Sequence, residues 1–349
     1  MGEEKKKITF VINPKSGAHS KEQILQCLKE KQADQRFTQE IVFTEYAGHA
    51  TEIAARKVDE GVAVVVAVGG DGTINEIARS LVRTETALGI LPCGSGNGLA
   101  RHLQIPMDVR KALDVIYGGR MDAMDYGKIN DLPFFCTCGV GFDAFVSLKF
   151  AEAGRRGPLT YLEKTLLESL KYQPETYEVE TEDGTQKYKA FLIACGNASQ
   201  YGNNAYITPQ AELTDGLLDV TILEPFTVLD VPSLAFQLFN KTIDQNSRIK
   251  TFRCSSLHIR RAKEGVAHYD GDPVMMGKEI SVKVYHNALQ VIVPPDDRVR
   301  RPANVLQRAQ DYINGLKQIN EMLVEDFAHK NKVILKKGRE QIKKLTKIT

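Results

Sequence analysis

The sequence has 349 residues, of which 42% are hydrophobic and 26% are charged, and its formal net charge is +2. A chain of this size predicts two domains with a core in each, and the near-neutral charge argues against a nucleic-acid partner. No hydrophobic stretch is as long as a membrane span and no apolar signal core lies near the start, so we expect a cytoplasmic protein. The six cysteines form neither a disulfide scaffold nor a metal pattern, and we expect buried thiols.

Strand and helix patterns alternate through the first third of the chain. The predicted strands and helices, in chain order, are 8–12, 24–28, 37–43, 49–58, 62–68, 74–81, 87–91, 99–103 and 109–117. Repeated strand–helix units of this length indicate a parallel sheet with helices on both faces. Glycine-bearing loops at 13–17, 69–73 and 94–98 each follow a strand, and ligands of such sheets bind beyond the carboxyl ends of the strands. The sequence therefore predicts one site shared by these three loops.

The strongest single signal is the run from Val62 to Asn75, in which seven apolar residues precede Gly69-Gly-Asp-Gly-Thr73. An uninterrupted apolar run is typical of a strand that is buried on both faces. The glycines let a ligand approach the backbone, and the helix predicted to follow directs free amide groups at the same place. The carboxylate of Asp71 would repel a bound phosphate unless it held a metal or accepted a proton. The pattern therefore indicates phosphoryl transfer.

After residue 120 the pattern changes to strand-like runs separated by turns, at 134–138, 177–180, 188–194, 218–223, 257–259, 280–285 and 289–293. Helices predicted at 159–170 and 231–239 interrupt this series, which indicates an antiparallel sandwich. We therefore expect an α/β nucleotide-binding domain at 1–124 and a β-sandwich domain at 125–295.

A helical tail is predicted at 296–349, where apolar residues form a single stripe. We expect part of this stripe to pack on the first domain. The alternatives are a helix that forms a homodimer and a helix that binds a membrane surface. In the last case the end of the tail, with six Lys or Arg and one Glu in 333–349, would face anionic lipid.

The motif Gly69-Gly-Asp-Gly-Thr73 is shared by the diacylglycerol kinase and sphingosine kinase superfamily, by NAD kinases and, in similar form, by phosphofructokinases. No Gly-x4-Gly-Lys-Ser/Thr motif is present, which argues against a P-loop. Five further stretches resemble lipid kinase motifs in the same order: Asn13-Pro-Lys-Ser-Gly17, Leu91-Pro-Cys-Gly-Ser-Gly-Asn-Gly-Leu-Ala100, Gly139-Val-Gly-Phe-Asp143, Asp215-Gly-Leu-Leu-Asp219 and Tyr269-Asp-Gly-Asp272. The chain thus resembles bacterial lipid kinases with a diacylglycerol kinase catalytic domain. The resemblance implies a Rossmann-like N-terminal domain and a C-terminal β-sandwich.

The resemblance also implies a site for ATP and Mg2+. The implied nucleotide-binding residues are Asn13, Lys15, Thr44, Gly69, Gly70, Asp71, Gly72, Thr73, Ile74, Asn75, Gly94, Ser95, Gly96, Asn97 and Asp270. One acid, either Asp71 or Asp272, is expected to take the proton of the acceptor hydroxyl. Relatives more often have Glu at position 272, and the shorter Asp side chain leaves the choice between the two acids open.

A second Mg2+ site is implied by the stretch from Pro209 to Leu217. In bacterial relatives a similar stretch surrounds the ion with one carboxylate and two backbone carbonyls, which correspond here to Asp215 and to the carbonyls of Glu212 and Leu217. Oxygen ligands suit this hard ion. Asp125 resembles a further acidic position of the bacterial enzymes, with a simple turn residue as the alternative. Arg155 is expected either to reach phosphates or lipid head groups or to be a solvated loop residue.

The sequence therefore predicts a lipid kinase at the cytoplasmic face of a membrane. Diacylglycerol is the expected acceptor, because the compact layout and the motifs ending at Asp143 and Asp219 look bacterial. A sphingoid base is the alternative acceptor, because Gly94-Ser-Gly-Asn-Gly98 is closer to the usage of sphingosine kinases. Two alternatives belong to other classes: an NAD kinase, and a non-catalytic protein that binds nucleotide or lipid.

Overall fold

The structure, a computed structural model, describes residues 5–16, 21–31, 37–94, 96–144, 173–227 and 230–295. The helices are α1 (Lys21–Lys31), α2 (His49–Asp59), α3 (Asp71–Leu81), α4 (Gly98–His102), α5 (Val109–Gly118) and α6 (Val231–Phe239). The strands are β1 (Lys6–Ile12), β2 (Phe37–Phe43), β3 (Val64–Gly69), β4 (Ala87–Pro92), β5 (Arg120–Ile129), β6 (Leu132–Phe134), β7 (Thr137–Gly141), β8 (Glu175–Thr181), β9 (Gly184–Ala190), β10 (Leu192–Gly196), β11 (Leu218–Leu223), β12 (Ile249–Cys254), β13 (Ser256–Arg261), β14 (Gly265–Tyr269), β15 (Asp272–Met276) and β16 (Glu279–Val293). The helix predicted at 159–170 and the predicted tail lie outside the described residues.

The N-terminal strands form a parallel sheet in the order β2-β1-β3-β4. Every residue of β3 is buried, as expected for an apolar run at the centre of such a sheet. Two helices are joined side by side, because Thr51 of α2 donates to the backbone oxygen of Glu76 in α3 over 2.9 Å. This arrangement confirms the predicted α/β region and brings the carboxyl ends of β1, β3 and β4 to one edge.

The long strand β16 connects the parallel strands with the antiparallel part of the molecule. Near its C-terminus, Val291 pairs with Leu88 of β4 in parallel, whereas β5 and β13 pair with β16 in antiparallel fashion. The register with β5 shifts between Tyr285 and Leu289, and Asn287 in this irregular stretch has a positive φ of 49°. The resulting ten-stranded sheet runs β2-β1-β3-β4-β16-β13-β8-β9, with β5 paired to β16 and β6 paired to β5.

A second, antiparallel sheet has the strand order β12-β11-β10-β7-β14-β15. Apolar side chains from both sheets form the core between them, including Ile129, Phe134, Tyr177, Ile193, Val220 and Val282. These two sheets confirm the predicted β-sandwich. Residues 1–295 belong to one compact unit, and β5 runs through the predicted boundary at 124/125, which stays a prediction.

All six cysteines are buried thiols and none forms a disulfide, as predicted. Within the described ranges, no helix has both the length and the apolar character needed to cross a membrane.

Candidate active site

The three glycine-bearing loops lie side by side at the carboxyl edge of the parallel sheet. Asn13, at the end of β1, donates from its side chain to Oγ1 of Thr73 over 3.2 Å. Gly70 and Gly94 approach so closely that a Cβ atom on Gly94 would lie 2.6 Å from the Cα atom of Gly70. Only glycine tolerates such an approach of two backbones. The structure thus brings together the loops that the sequence singled out.

Helix α3 directs its first amide groups into this junction. Gly70 precedes the helix with extended backbone, and a Cβ atom on Gly69 would lie 2.5 Å from Oγ1 of Thr73. The amide of Ile74 donates to the backbone oxygen of Gly70 over 3.1 Å, so the helix already uses the amide of this predicted nucleotide-binding residue. The amides before it have no acceptor within the helix, and together with the helix dipole they favour an anion.

Asp71 connects the first glycine loop to the second. Its Oδ2 accepts a hydrogen bond from the amide of Asn97 (2.8 Å), and its Oδ1 accepts one from the amide of Gly98 (2.7 Å). A Cβ atom on Gly96 would lie 2.7 Å from Oδ2 of Asp71, so this position also requires glycine. Burial raises the pKa of Asp71, and the two amides oppose this rise. Both oxygens of this predicted catalytic acid are therefore engaged in holding the loop.

Asn97 shapes the second loop from within. It has a positive φ of 52°, and its side chain accepts from the amide of Gly94 over 3.0 Å and donates to the oxygen of Gly94 over 2.7 Å. Only 4% of Asn97 is exposed, so its side chain stabilises the loop rather than reaching outward for a nucleotide. Ser95, which was predicted to contact the nucleotide, lies outside the described residues, as does Arg155.

Lys15 and Thr44 flank the loops on the side of β1 and β2. The amide of Lys15 donates to Oδ1 of Asn13 over 2.9 Å, while its side chain is exposed. The amide of Thr44 donates to the backbone oxygen of Ile12 over 2.9 Å, which holds the end of β2 beside β1. Both residues lie at the predicted edge, where the exposed side chain of Lys15 is available to an anion.

Asp270 holds α3 to the sandwich. Its carboxylate accepts from the side chain of Asn75 (2.8 Å) and from the amides of Phe135 (2.8 Å), Cys136 (2.7 Å) and Thr137 (3.2 Å). Burial raises the pKa of Asp270, and these hydrogen bonds oppose the rise. Because both oxygens are engaged, we assign to Asp270 a role in joining the two regions instead of the predicted contact with a nucleotide.

Asp272 is the acid that remains available. It begins β15 with an exposed side chain, and no residue that the structure describes forms a hydrogen bond with its carboxylate. Partial desolvation raises the pKa of Asp272; Arg79 and His268 lower it, and Glu76 raises it. Arg79 was not predicted from the sequence, although its position four residues after Asn75 places both on one helix face, where Nε of Arg79 donates to Oδ1 of Asn75 over 3.1 Å.

The predicted metal loop contains a carboxylate oxygen without a hydrogen-bond partner. Oδ1 of Asp215 accepts from the amide of Leu217 over 3.0 Å, whereas the buried Oδ2 has no such partner and lies 3.5 Å from a guanidinium nitrogen of Arg253. Among the described residues, no group of three or more His, Cys, Asp or Glu side chains is arranged to hold a metal. The predicted site needs only one such side chain, since the carbonyls of Glu212 and Leu217 would supply the rest.

Asp125 is hydrogen-bonded to this loop. Its buried carboxylate accepts from the amide of Gly216 (2.7 Å), from Nδ1 of His286 (2.9 Å) and from the amide of Asn287 (2.7 Å). None of its surface is exposed, so direct contact with lipid is excluded in this structure. Asp125 instead links the metal loop to the irregular part of β16.

Two family models match the chain in succession. The diacylglycerol kinase catalytic domain matches residues 7–129, and the YegS C-terminal NAD kinase β-sandwich-like domain matches residues 136–293. The chain is 32% identical over 254 residues to proteins named "Probable lipid kinase YegS" from Escherichia coli strains UMN026 and SMS-3-5, which covers 70% of this chain and 83% of each relative.

Solved structures show the same fold. A diacylglycerol kinase from Bacillus anthracis str. Sterne superposes with a TM-score of 0.65 at 19% identity, covering 82% of this chain and 97% of that one. A second structure from the same strain has a TM-score of 0.68 at 20% identity, covering 82% of this chain and 95% of that one.

Proposed function

Because the chain belongs to the diacylglycerol kinase and sphingosine kinase superfamily, we propose that it is a lipid kinase that transfers the γ-phosphoryl group of ATP to the hydroxyl of diacylglycerol. The product is phosphatidic acid. The observation that carries this proposal is the junction of three glycine loops at the N-terminus of α3. Phosphoryl transfer mainly requires that the phosphates be neutralised and that the two reacting oxygens be held in line.

The proposed role of each residue follows from the hydrogen bonds that its side chain already makes. Amides at the start of α3, with Lys15 beside them, bind the phosphates. Asp71 keeps the second glycine loop in place through Asn97 and Gly98. Asp272 takes the proton of the lipid hydroxyl while that oxygen bonds to the γ-phosphorus and the bond to the leaving ADP breaks. Partial desolvation raises the pKa of Asp272, which makes its carboxylate a stronger base than that of an ordinary aspartate.

The proposed use of Mg2+ rests on Asp215. Oδ2 of Asp215 accepts no hydrogen bond from the described residues and lies 3.5 Å from the guanidinium of Arg253, so this oxygen already attracts positive charge. The carbonyls of Glu212 and Leu217 would complete the set of oxygen ligands for the ion. When bound, the ion would supply positive charge that neutralises the carboxylate of Asp215. Through Gly216, Asp125 fixes the loop that carries these ligands. A separate Mg2+ is proposed to accompany ATP at the glycine loops.

The test is transfer of labelled γ-phosphate from Mg-ATP to lipids in mixed micelles. The panel contains diacylglycerol, sphingosine, dihydrosphingosine and ceramide, with NAD as the soluble acceptor. Labelled phosphatidic acid supports the proposal, and a labelled sphingoid phosphate moves the acceptor to the alternative. Label in NADP, or ATP binding without any product, contradicts the lipid kinase proposal.

Two variants sharpen this assay. Asp272→Asn is expected to lower kcat by about 100-fold or more, because the loss of a general base costs two to four orders of magnitude. Asp131→Asn, in the exposed turn between β5 and β6, makes the same chemical change away from the site and is expected to retain full activity. Equal activity of the two variants would rule out Asp272 as the base and return the role to Asp71.

Access to the lipid requires contact with a membrane, and we propose that the protein binds peripherally at the cytoplasmic face. The basic end of the chain, 333–349, supports this proposal through its attraction to anionic lipid. Sedimentation of the full chain with vesicles that contain 30% anionic lipid tests it, with neutral vesicles as the control. A homodimer through the tail is the competing proposal, and the molar mass in solution decides between them.

A further inference from the structure

A buried aspartate–histidine pair includes one residue of the β14–β15 hairpin, which also carries Asp272. His268, on β14, forms a 2.6 Å hydrogen bond through Nε2 with Oδ2 of Asp143, and the exposed fractions of the two residues are 1% and 3%. Neither residue has been given a role above, although Asp143 ends one of the motifs that the sequence analysis identified.

The backbone makes room for this pair. His268 is paired directly with Gly139 of β7, and a Cβ atom on Gly139 would lie 2.4 Å from Oδ2 of Asp143 and 3.1 Å from Nε2 of His268. Any larger residue at position 139 would therefore displace the pair. The glycine and the aspartate of Gly139-Val-Gly-Phe-Asp143 thus serve one purpose, which is to seat a histidine that lies 125 residues further along the chain.

The hairpin between β14 and β15 extends this arrangement to Asp272. His268 pairs with Pro273, and the next pair, Tyr269 with Asp272, closes a turn of only two residues, Asp270 and Gly271, which have φ values of 47° and 90°. Two-residue turns of this kind fix the register of a hairpin. Asp272, the proposed base, is therefore the neighbour of Pro273, the residue that pairs with His268.

The surroundings of the pair are apolar or neutral. Tyr201 packs edge-on to the His268 ring at 6.4 Å between centroids, and burial and the nearby Asp143 raise the pKa of Tyr201 well above its ordinary value. Nδ1 of His268 has no hydrogen-bond partner among the described residues. A buried ion pair often adds no stability over apolar side chains of similar size, so stability alone does not explain why this site holds ionisable groups.

We propose that Asp143 and His268 act together as positioning residues, which hold the β14–β15 hairpin in place and set the electrostatic environment of Asp272. This inference rests on the proposed function for its catalytic meaning. The ionisable groups that act on the pKa of Asp272 are Arg79 and Glu76 from α3 and His268 from β14. His268 is the one among them that is held by a buried carboxylate, so its effect on Asp272 depends on Asp143.

The test uses His268→Gln and Asp143→Asn in the full chain. Gln retains an amide donor near the place of Nε2, and Asn retains the shape of Asp, so each variant removes the ionisable group while preserving volume. His258→Gln is the matched control, because His258 lies exposed on β13. kcat and KM for ATP are measured from pH 5 to pH 9 with diacylglycerol in mixed micelles.

We expect each variant to lower kcat about 10-fold without changing KM for ATP, because the glycine loops remain intact. The acid limb of the pH profile should move upward, because His268 lowers the pKa of Asp272 and each variant removes that influence. The double variant should be no worse than either single one, since the two residues act as a unit. Folded single variants with the wild-type pH profile and kcat would overturn the proposal.

A measurement without turnover separates this inference from the proposed function. In protein labelled with 13C at aspartate carboxyl groups, the signal of Asp272 is assigned by its loss in Asp272→Asn and is titrated directly. An upward shift of its midpoint in His268→Gln supports the positioning role even if no lipid is phosphorylated. An unmoved midpoint overturns it, and failure of both variants to fold shows that the pair is structural only.

Discussion

At the level of single residues, the acids of the site differ in the hydrogen bonds that their carboxylates already accept. Asp71 and Asp270 accept backbone amides with both oxygens, whereas Asp272 accepts no hydrogen bond from the described residues. Sequence motifs predicted that these acids belong to one site, but they could not assign the roles. The donors to Asp270 lie more than 130 residues away along the chain, so only the fold shows which carboxylate is left for chemistry.

Asp272→Asn should make the protein more stable at neutral pH while it removes activity. The folded-state pKa of Asp272 is raised, so the folded protein binds this proton more tightly than the unfolded chain does. The contribution of Asp272 to stability is therefore greatest below its unfolded pKa of about 3.9 and is lost as the pH rises through the folded value. Urea unfolding at pH 4 and pH 7 should show an advantage of the variant that grows with pH.

Asp131→Asn is the control for this measurement, because the side chain of Asp131 is exposed. Its free energy of unfolding is measured at the same two pH values. A stability of Asp272→Asn that falls relative to the wild type as the pH rises would mean that the carboxylate is stabilised in the folded protein, which contradicts its assignment as a desolvated base.

At the level of elements, the sequence predicted the strands and loops whose signals lie within a short stretch of the chain. The parallel strands were found because each is a buried apolar run, and the glycine loops because glycine is required where backbones touch. β9 was predicted only over its last residues, 188–190, because most of the strand is exposed. β12 was missed because buried and exposed residues do not alternate along it. β16 was predicted as two strands, since the polar residues at its irregular stretch, including His286 and Asn287, interrupt the apolar pattern of a single strand.

Gly72→Ala tests the N-terminus of α3 as an anion site. A Cβ atom on Gly72 would meet nothing within 4 Å, so alanine fits the fold and should stabilise this helix by about 0.5–1 kcal/mol. In the proposed complex the same methyl group lies where phosphates approach the first turn. We expect the free energy of unfolding to be unchanged or higher and the Kd for ATP to rise at least about 10-fold, as measured by calorimetry.

Gly118→Ala in α5 is the matched control, because a Cβ atom there also meets nothing within 4 Å. It should gain similar stability and bind ATP as the wild type does. If both variants bind ATP equally well, the phosphates do not lie against the first turn of α3.

At the level of the whole molecule, one strand and two buried carboxylates join the α/β region to the sandwich. β16 pairs with strands of both regions, Asp125 connects β5 to the loop that contains Gly216 and to β16, and Asp270 connects the β14–β15 turn to α3. The distance from the glycine loops to Asp272 is thus fixed by contacts between regions. The proposed reaction depends on that distance, because the nucleotide and the base belong to different regions.

Asp270→Asn should weaken this connection. The amide of asparagine can accept with one oxygen only, and its NH2 group faces amides that need an acceptor, so at least one buried N–H is left unpaired. Each unsatisfied buried group of this kind costs about 1–3 kcal/mol, and we expect a loss of that size in the free energy of unfolding. Asp183→Asn, in the exposed turn between β8 and β9, should cost nothing measurable.

The same variant also reports on the coupling between the two regions. If Asp270 sets the position of the hairpin, Asp270→Asn should lower kcat at pH values where the protein is fully folded, while the Kd for ATP at the glycine loops stays near the wild-type value. Circular dichroism in urea and calorimetry with ATP measure the two quantities on one sample. A variant that loses stability but retains kcat would show that the carboxylate only holds the regions together, and that the placement of Asp272 depends on β16 and on the Asp143–His268 pair.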